Sequence, residues 1–160
     1  MKTSVVIPAT DGNFGYLNCI LRHYEDGVEK PDEVVVSISN SHLIKQQDID
    51  ALGNKFSKSF DMKILRHEKR MVQGPNRDAV TKAATGDIII SNDADDIPHP
   101  QRVRIIKELF GTHDIVMLNH GYQTHTAFPN INDIKIILPT EVFNHHFPGC
   151  DPNLEERPNP

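Results

Sequence analysis

The sequence contains no tryptophan, only two cysteines and no long apolar run. The last two shortages each remove a class of protein. Cys19 and Cys150 form no metal-binding spacing, so free thiols in a reducing cytoplasm are expected. No segment approaches the ~18 apolar residues of a membrane span. The opening stretch MKTSVVIPATDG carries too short an apolar run for a signal peptide. A cytoplasmic chain without a transmembrane segment is therefore expected. Basic excess is also missing. The formal net charge is -5, which argues against a nucleic-acid partner held by a basic surface. The GNFG stretch at 12–15 lacks the G-x-G-x-x-G spacing of a dinucleotide-binding loop. None of the nine histidines forms a His-x-His or His-Glu-x-x-His zinc spacing, and the adjacent His145 and His146 point apart in most backbones.

What remains is an ordinary globular composition. Of 160 residues, 38% are apolar and 24% charged, which suits one domain with a sizeable core. Apolar β-branched runs at 3–8 and 32–38 read as buried strands, and 62–66 and 87–92 as a third and a fourth strand. Leu17, Ile20, Leu21 and Tyr24 share one face of a helix over 14–25, which Asp11 or Asn13 could cap. Leu43, Ile49, Leu52 and Phe56 recur at roughly helical spacing within 43–60. Helices are expected over 75–85, with Pro75 near its start, and over 99–110, with Pro100 in its first turn. Two further strands are expected at 113–119 and 133–138. This alternation predicts an α/β fold with a mostly parallel sheet flanked by helices. Ligands of such sheets bind beyond the carboxyl ends of the strands. The loops in question read ATDGN, SNSH and DADD.

The last of these is the sharpest feature. In DIIISNDADDIPHP, an apolar strand runs into Asp93, Asp95 and Asp96. Like charges this close repel unless they are solvated or neutralised. In an extended segment, residues two apart face the same way, so Asp93 and Asp95 could share a ligand. Hard carboxylate oxygens suit Mg²⁺ or Mn²⁺, with substrate phosphates completing the shell. Asp96 would turn away or cap the next helix. The basic residues Arg66, His67, Lys69 and Arg70 read as a solvated loop after the third strand.

Together these blocks resemble a family 2 glycosyltransferase with a GT-A (Rossmann-like) fold. TSVVIPATDG resembles the family's opening strand and nucleotide loop. NRDAVTKAATGDIIISNDADDIPHPQRV resembles its central block, with an Arg on a helix, an Ala-x-Gly-Asp turn, a strand and an Asp-x-Asp signature. The resemblance runs from Thr3 to about Leu118. It implies a nucleotide-sugar-binding part over 1–118 and a short or truncated acceptor side over 119–160. It also implies transfer from a nucleoside diphosphate sugar, usually with inversion, to an unknown glycan, lipid or protein acceptor. By position, Asp95 would bind the metal, and Asp93 would approach the ribose or the metal. Pro8, Ala9, Thr10, Asp11 and Ala94 would line the nucleotide-sugar pocket. Arg77 would lie near the diphosphate or tie its helix to the Asp93 loop. Where the family has adjacent acids after the second strand, this chain has SISNS, leaving Ser37, Ser39 and Asn40 for that role.

Inverting transfer also needs a base to take the acceptor hydroxyl proton. Asp133, Glu141, Asp151, Glu155 and Glu156 are candidates. DPNLEER resembles the family's acidic motif and favours Glu155 or Glu156. Two other readings share the residues: a nucleotide-sugar-binding module without catalysis, and a metal-dependent phosphohydrolase using the Asp cluster and histidines.

Overall fold

The structure is a computed structural model and describes residues 1–111. Its centre is a parallel four-stranded sheet in the order β3-β2-β1-β4. The strands are β1 (Thr3–Thr10), β2 (Glu33–Ser39), β3 (Asp61–His67) and β4 (Ile88–Ser91). β1 and β2 are buried along nearly their whole length, which is why their sequences read as continuous apolar runs rather than alternating ones.

Helices cover both faces. On one face, α3 (Gln73–Ala83) sets Val80 against Val6 and Val35, with Leu65, Ala83 and Ala84 packed around them. The alternate strand residues, such as Val5, Ile7, Val36 and Ile38, turn to the opposite face and are also buried. There lie α1 (Phe14–Glu25) and α2 (Gln46–Phe56). Leu17, Ile20, Leu21 and Tyr24 of α1 are all buried, as their spacing requires. Ile49, Leu52 and Phe56 do the same for α2, and the Phe56 and Phe60 rings stack with centroids 6.0 Å apart.

Several expectations need correction. The fourth helix, α4 (Arg102–Leu109), begins later than residue 99, with Gln101 at its N-cap position. Pro98 and Pro100 push the residues before them out of helical geometry, so the helix starts only after both. Neither Asp96 nor Pro100 therefore lies in its first turn. Asn13 does occupy the N-cap position of α1, but its side chain makes no cap bond. Instead, its Oδ1 accepts the Thr10 N–H at 2.6 Å. Leu43 lies outside α2 and is exposed, and Arg66 and His67 belong to β3 rather than to a loop. The strands expected at 113–119 and 133–138, and the acceptor side over 119–160, lie outside the described residues. Among the described residues, no helix is long and apolar enough to cross a membrane.

Candidate functional site

β1 and β4 are adjacent, and the strand order reverses between them. The crevice beyond their carboxyl ends is where a ligand of this architecture belongs. β1 delivers Pro8, Ala9 and Thr10 there, followed by a 3-10 turn from Asp11 to Asn13. β2 delivers Ser37 and Ser39 beside them. Pro8, Ala9, Ser37 and Ser39 are buried, while Thr10 and Asp11 are partly open.

One buried amide binds these strand ends to α3. Asn76 Nδ2 donates to the Ala9 carbonyl at 2.9 Å, and Asn76 Oδ1 accepts the Ser37 hydroxyl at 2.5 Å. Ser39 Oγ accepts the Met71 N–H at 2.9 Å. Asn40 adopts a left-handed conformation, φ 56°, which asparagine tolerates better than most residues. Its Nδ2 donates to Asp11 Oδ1 at 3.0 Å, joining the loops after β1 and β2.

The acidic turn follows β4. Arg77 Nη2 on α3 donates to both Asp93 oxygens, at 2.5 and 2.7 Å. One nitrogen thus serves both oxygens, and Arg77 Nε is buried without a partner among the described residues. Asp96 N–H closes the turn onto the Asp93 carbonyl at 3.1 Å. Ala94, within the turn, is 1% exposed. Asp95 is exposed and makes no hydrogen bond or ion pair among the described residues. The three acids are therefore inequivalent: Asp93 is neutralised by a cation, and Asp95 is left free.

The structure brings Arg77 and Asp93 into direct contact and sets the residues from Pro8 to Asp11 beside Ser37 and Ser39. Glu155, Glu156, Asp133, Glu141, Asp151, His145 and His146 lie outside the described residues. Sequence reasoning passed over Asn76 and Asn92. The signal for Asn92 was a polar residue where the apolar run Ile88–Ile90 gives way to acids.

The donor set fits a hard divalent ion. Among the described residues, no three His, Cys, Asp or Glu side chains converge on one point. Two carboxylates, one of them already shared with Arg77, are what Mg²⁺ or Mn²⁺ takes when substrate phosphates supply the other ligands.

Residues 4–146 match the family profile described as Glycosyl transferase family 2. The chain belongs to glycosyl transferase family 2. Among solved structures, this family 2 chain is similar to S. aureus TarS 1-349 in complex with UDP-GlcNAc, with a TM-score of 0.58 and 19% identity. The match covers 71% of this chain and 32% of that one. The same TarS segment in complex with UDP gives a TM-score of 0.59 at 20% identity, over 71% of this chain and 33% of that one. At this identity the likeness concerns the fold. The chain spans about a third of the length of these relatives. No curated protein matches it.

Proposed function

We propose that this family 2 chain binds the donor in a metal-dependent glycosyltransferase. The donor is a nucleoside diphosphate sugar, and the sugar passes with inversion to a glycan, lipid or protein acceptor. The observation that supports this best is the free, exposed Asp95 beside an Asp93 held by Arg77, at the β1–β4 crevice. Asp95 is the metal ligand, and Asp93 faces the ribose or the metal. When bound, Mn²⁺ or Mg²⁺ supplies neutralising charge for a departing diphosphate. Thr10 and Asp11 rim the nucleotide pocket. Pro8, Ala9, Ser37, Ser39 and Ala94 form its buried support. Glu155 or Glu156 takes the proton from the acceptor hydroxyl as that oxygen attacks the sugar. The reading includes a cytoplasmic setting, in which Cys19 stays a free thiol.

TarS has been solved with UDP and UDP-GlcNAc, which makes UDP-sugars the first donors to try. Titrating UDP- and GDP-sugars with and without Mn²⁺ tests the proposal. Binding should depend on metal, and Asp95→Ala should weaken it by about tenfold or more, the scale of a lost charged contact. Absence of binding, or an unchanged affinity in Asp95→Ala, would overturn it. Binding without sugar transfer would favour a donor-binding module, and phosphate release from simple phosphoesters would favour a hydrolase.

A further inference from the structure

Asn92 stands between the sheet and the acidic turn. Its backbone N–H still belongs to the sheet, donating to the Val6 carbonyl at 3.0 Å. Its side chain already belongs to the turn. Nδ2 donates to the carbonyls of Asp93 at 2.8 Å and of Asp96 at 2.9 Å. Both amide hydrogens are therefore used. Oδ1 accepts the hydroxyl of Tyr24, which reaches across from α1 at 2.9 Å. The partners fix which end of the amide is which, because two carbonyls require the nitrogen and a phenol must then donate to the oxygen. Both residues are buried, Asn92 at 4% and Tyr24 at 2% exposure. Burial pushes the Tyr24 phenol upward against the nearby Arg102 guanidinium, so it stays protonated and able to donate. Arg102 Nη2 donates to the Ser91 carbonyl at 2.9 Å, steadying the chain just upstream.

Asp95 depends on this arrangement. Nothing else among the described residues restrains its carboxylate, so its position is set by the backbone that carries it. That backbone is pinned on both sides of Asp95 by one amide, at the carbonyls of Asp93 and Asp96.

We propose that Asn92, oriented by the Tyr24 hydroxyl, is the positioning residue that holds Asp95 in place for a metal-bound nucleotide. The nucleotide part of this inference rests on the proposed donor-binding function; the turn-holding part does not. Asn92→Asp keeps the shape but cannot donate, and it would set a carboxylate against two carbonyls. Tyr24→Phe removes only the hydroxyl, leaving Asn92 Oδ1 without its partner.

The test uses the full 160-residue chain with UDP as probe, titrated with saturating Mn²⁺ and without metal, together with hydrogen exchange at the turn. Tyr24→Phe should leave metal-free UDP affinity unchanged and lower the Mn²⁺-dependent gain by about fivefold, the scale of one buried hydrogen bond. Asn92→Asp should lower it further. In both variants the Asp96 amide should exchange faster, while amides of β1 and β2 keep their protection. If the wild-type chain binds UDP with Mn²⁺ and the gain is the same in Tyr24→Phe, Asn92 is only a structural brace and the proposal fails. If the wild-type chain binds no UDP, the donor reading is the part in trouble, and exchange decides the turn-holding part. Unchanged exchange at Asp96 would then sink it, and faster exchange would uphold it. Should Asn92→Asp not fold, Tyr24→Phe carries the test.

Discussion

Asn76 is 3% exposed, and all of its value lies in the partners of its amide. Asn76→Ala would strip the buried Ser37 hydroxyl of its acceptor and the Ala9 carbonyl of one of its donors. A buried group left without its partner costs about 1–3 kcal/mol, so a loss of about 2 kcal/mol is expected. The neighbouring Asp78 gives a contrast. It pairs with Lys82 at 2.7 Å, but their side chains are 60% and 74% exposed. Asp78→Ala should therefore change stability little. Urea unfolding of the two variants would separate a buried bridge from a solvated ion pair, and equal effects would refute the assignment. At this scale the sequence was legible where chemistry was local or patterned. Arg77 and Asp93 could be marked through the resemblance of their block to the family's central motif. Asn76 and Asn92 could not, because asparagine near a helix start or strand end reads as a turn residue. Their roles come from Ala9 and Tyr24, 67 and 68 positions away.

Gly86 shows how closely the elements approach one another. A Cβ there would lie 2.5 Å from Ser4 Oγ and 2.7 Å from the Ser4 backbone nitrogen. The hydroxyl is not free to turn aside, because it accepts the Gly86 N–H at 2.8 Å and donates to the Glu33 carboxylate. Backbone nitrogen in a paired strand cannot turn aside at all. Gly86→Ala should push the start of β4 away from β1 and cost about 1–3 kcal/mol, the usual cost of overpacking. Gly15 in α1 has nothing within 4 Å of its would-be Cβ. Gly15→Ala should instead stabilise the helix by roughly 0.5–1 kcal/mol. Thermal unfolding of both variants checks the opposite signs. Element boundaries followed the same logic. The limits of α1 were readable because its apolar stripe is complete. The start of α4 was misread because an amphipathic pattern extends back over prolines that the backbone cannot make helical.

Across the whole sheet, the two ends hold carboxylates in opposite settings, one unpaired among the described residues and one fully partnered. The carboxyl end holds the free Asp95. The amino end holds Glu33, which is 1% exposed yet charged. Burial alone would raise its pKa, but the Ser4 hydroxyl, the Thr85 N–H and hydroxyl, and Lys63 at 3.5 Å prevail and hold it near about 2, against an ordinary 4.5. A lowered folded-state pKa stabilises the protein above the unfolded value. That contribution is complete above about pH 5 and is lost as pH falls through 4.5 toward 2. Its size is on the order of 3 kcal/mol. Asp32, lowered chiefly by the Thr3 N–H, acts in the same direction. Unfolding measured at pH 7 and pH 3 should show a steep acid loss in the native chain and a shallower one in Glu33→Gln. An equal slope in both would contradict this account. The parallel α/β architecture was readable from the alternation of runs. The order β3-β2-β1-β4 was not, because it depends on which crossovers pack, and that follows from contacts such as Ser4 with Glu33 and Gly86. The hydroxyl of Tyr24 resting on Asn92 also has a practical side. With three tyrosines and no indole to drain their excitation, the chain emits as a pure phenol protein. One of those phenols is wired to the acidic turn, so the native sequence carries its own optical reporter of what happens at Asp95.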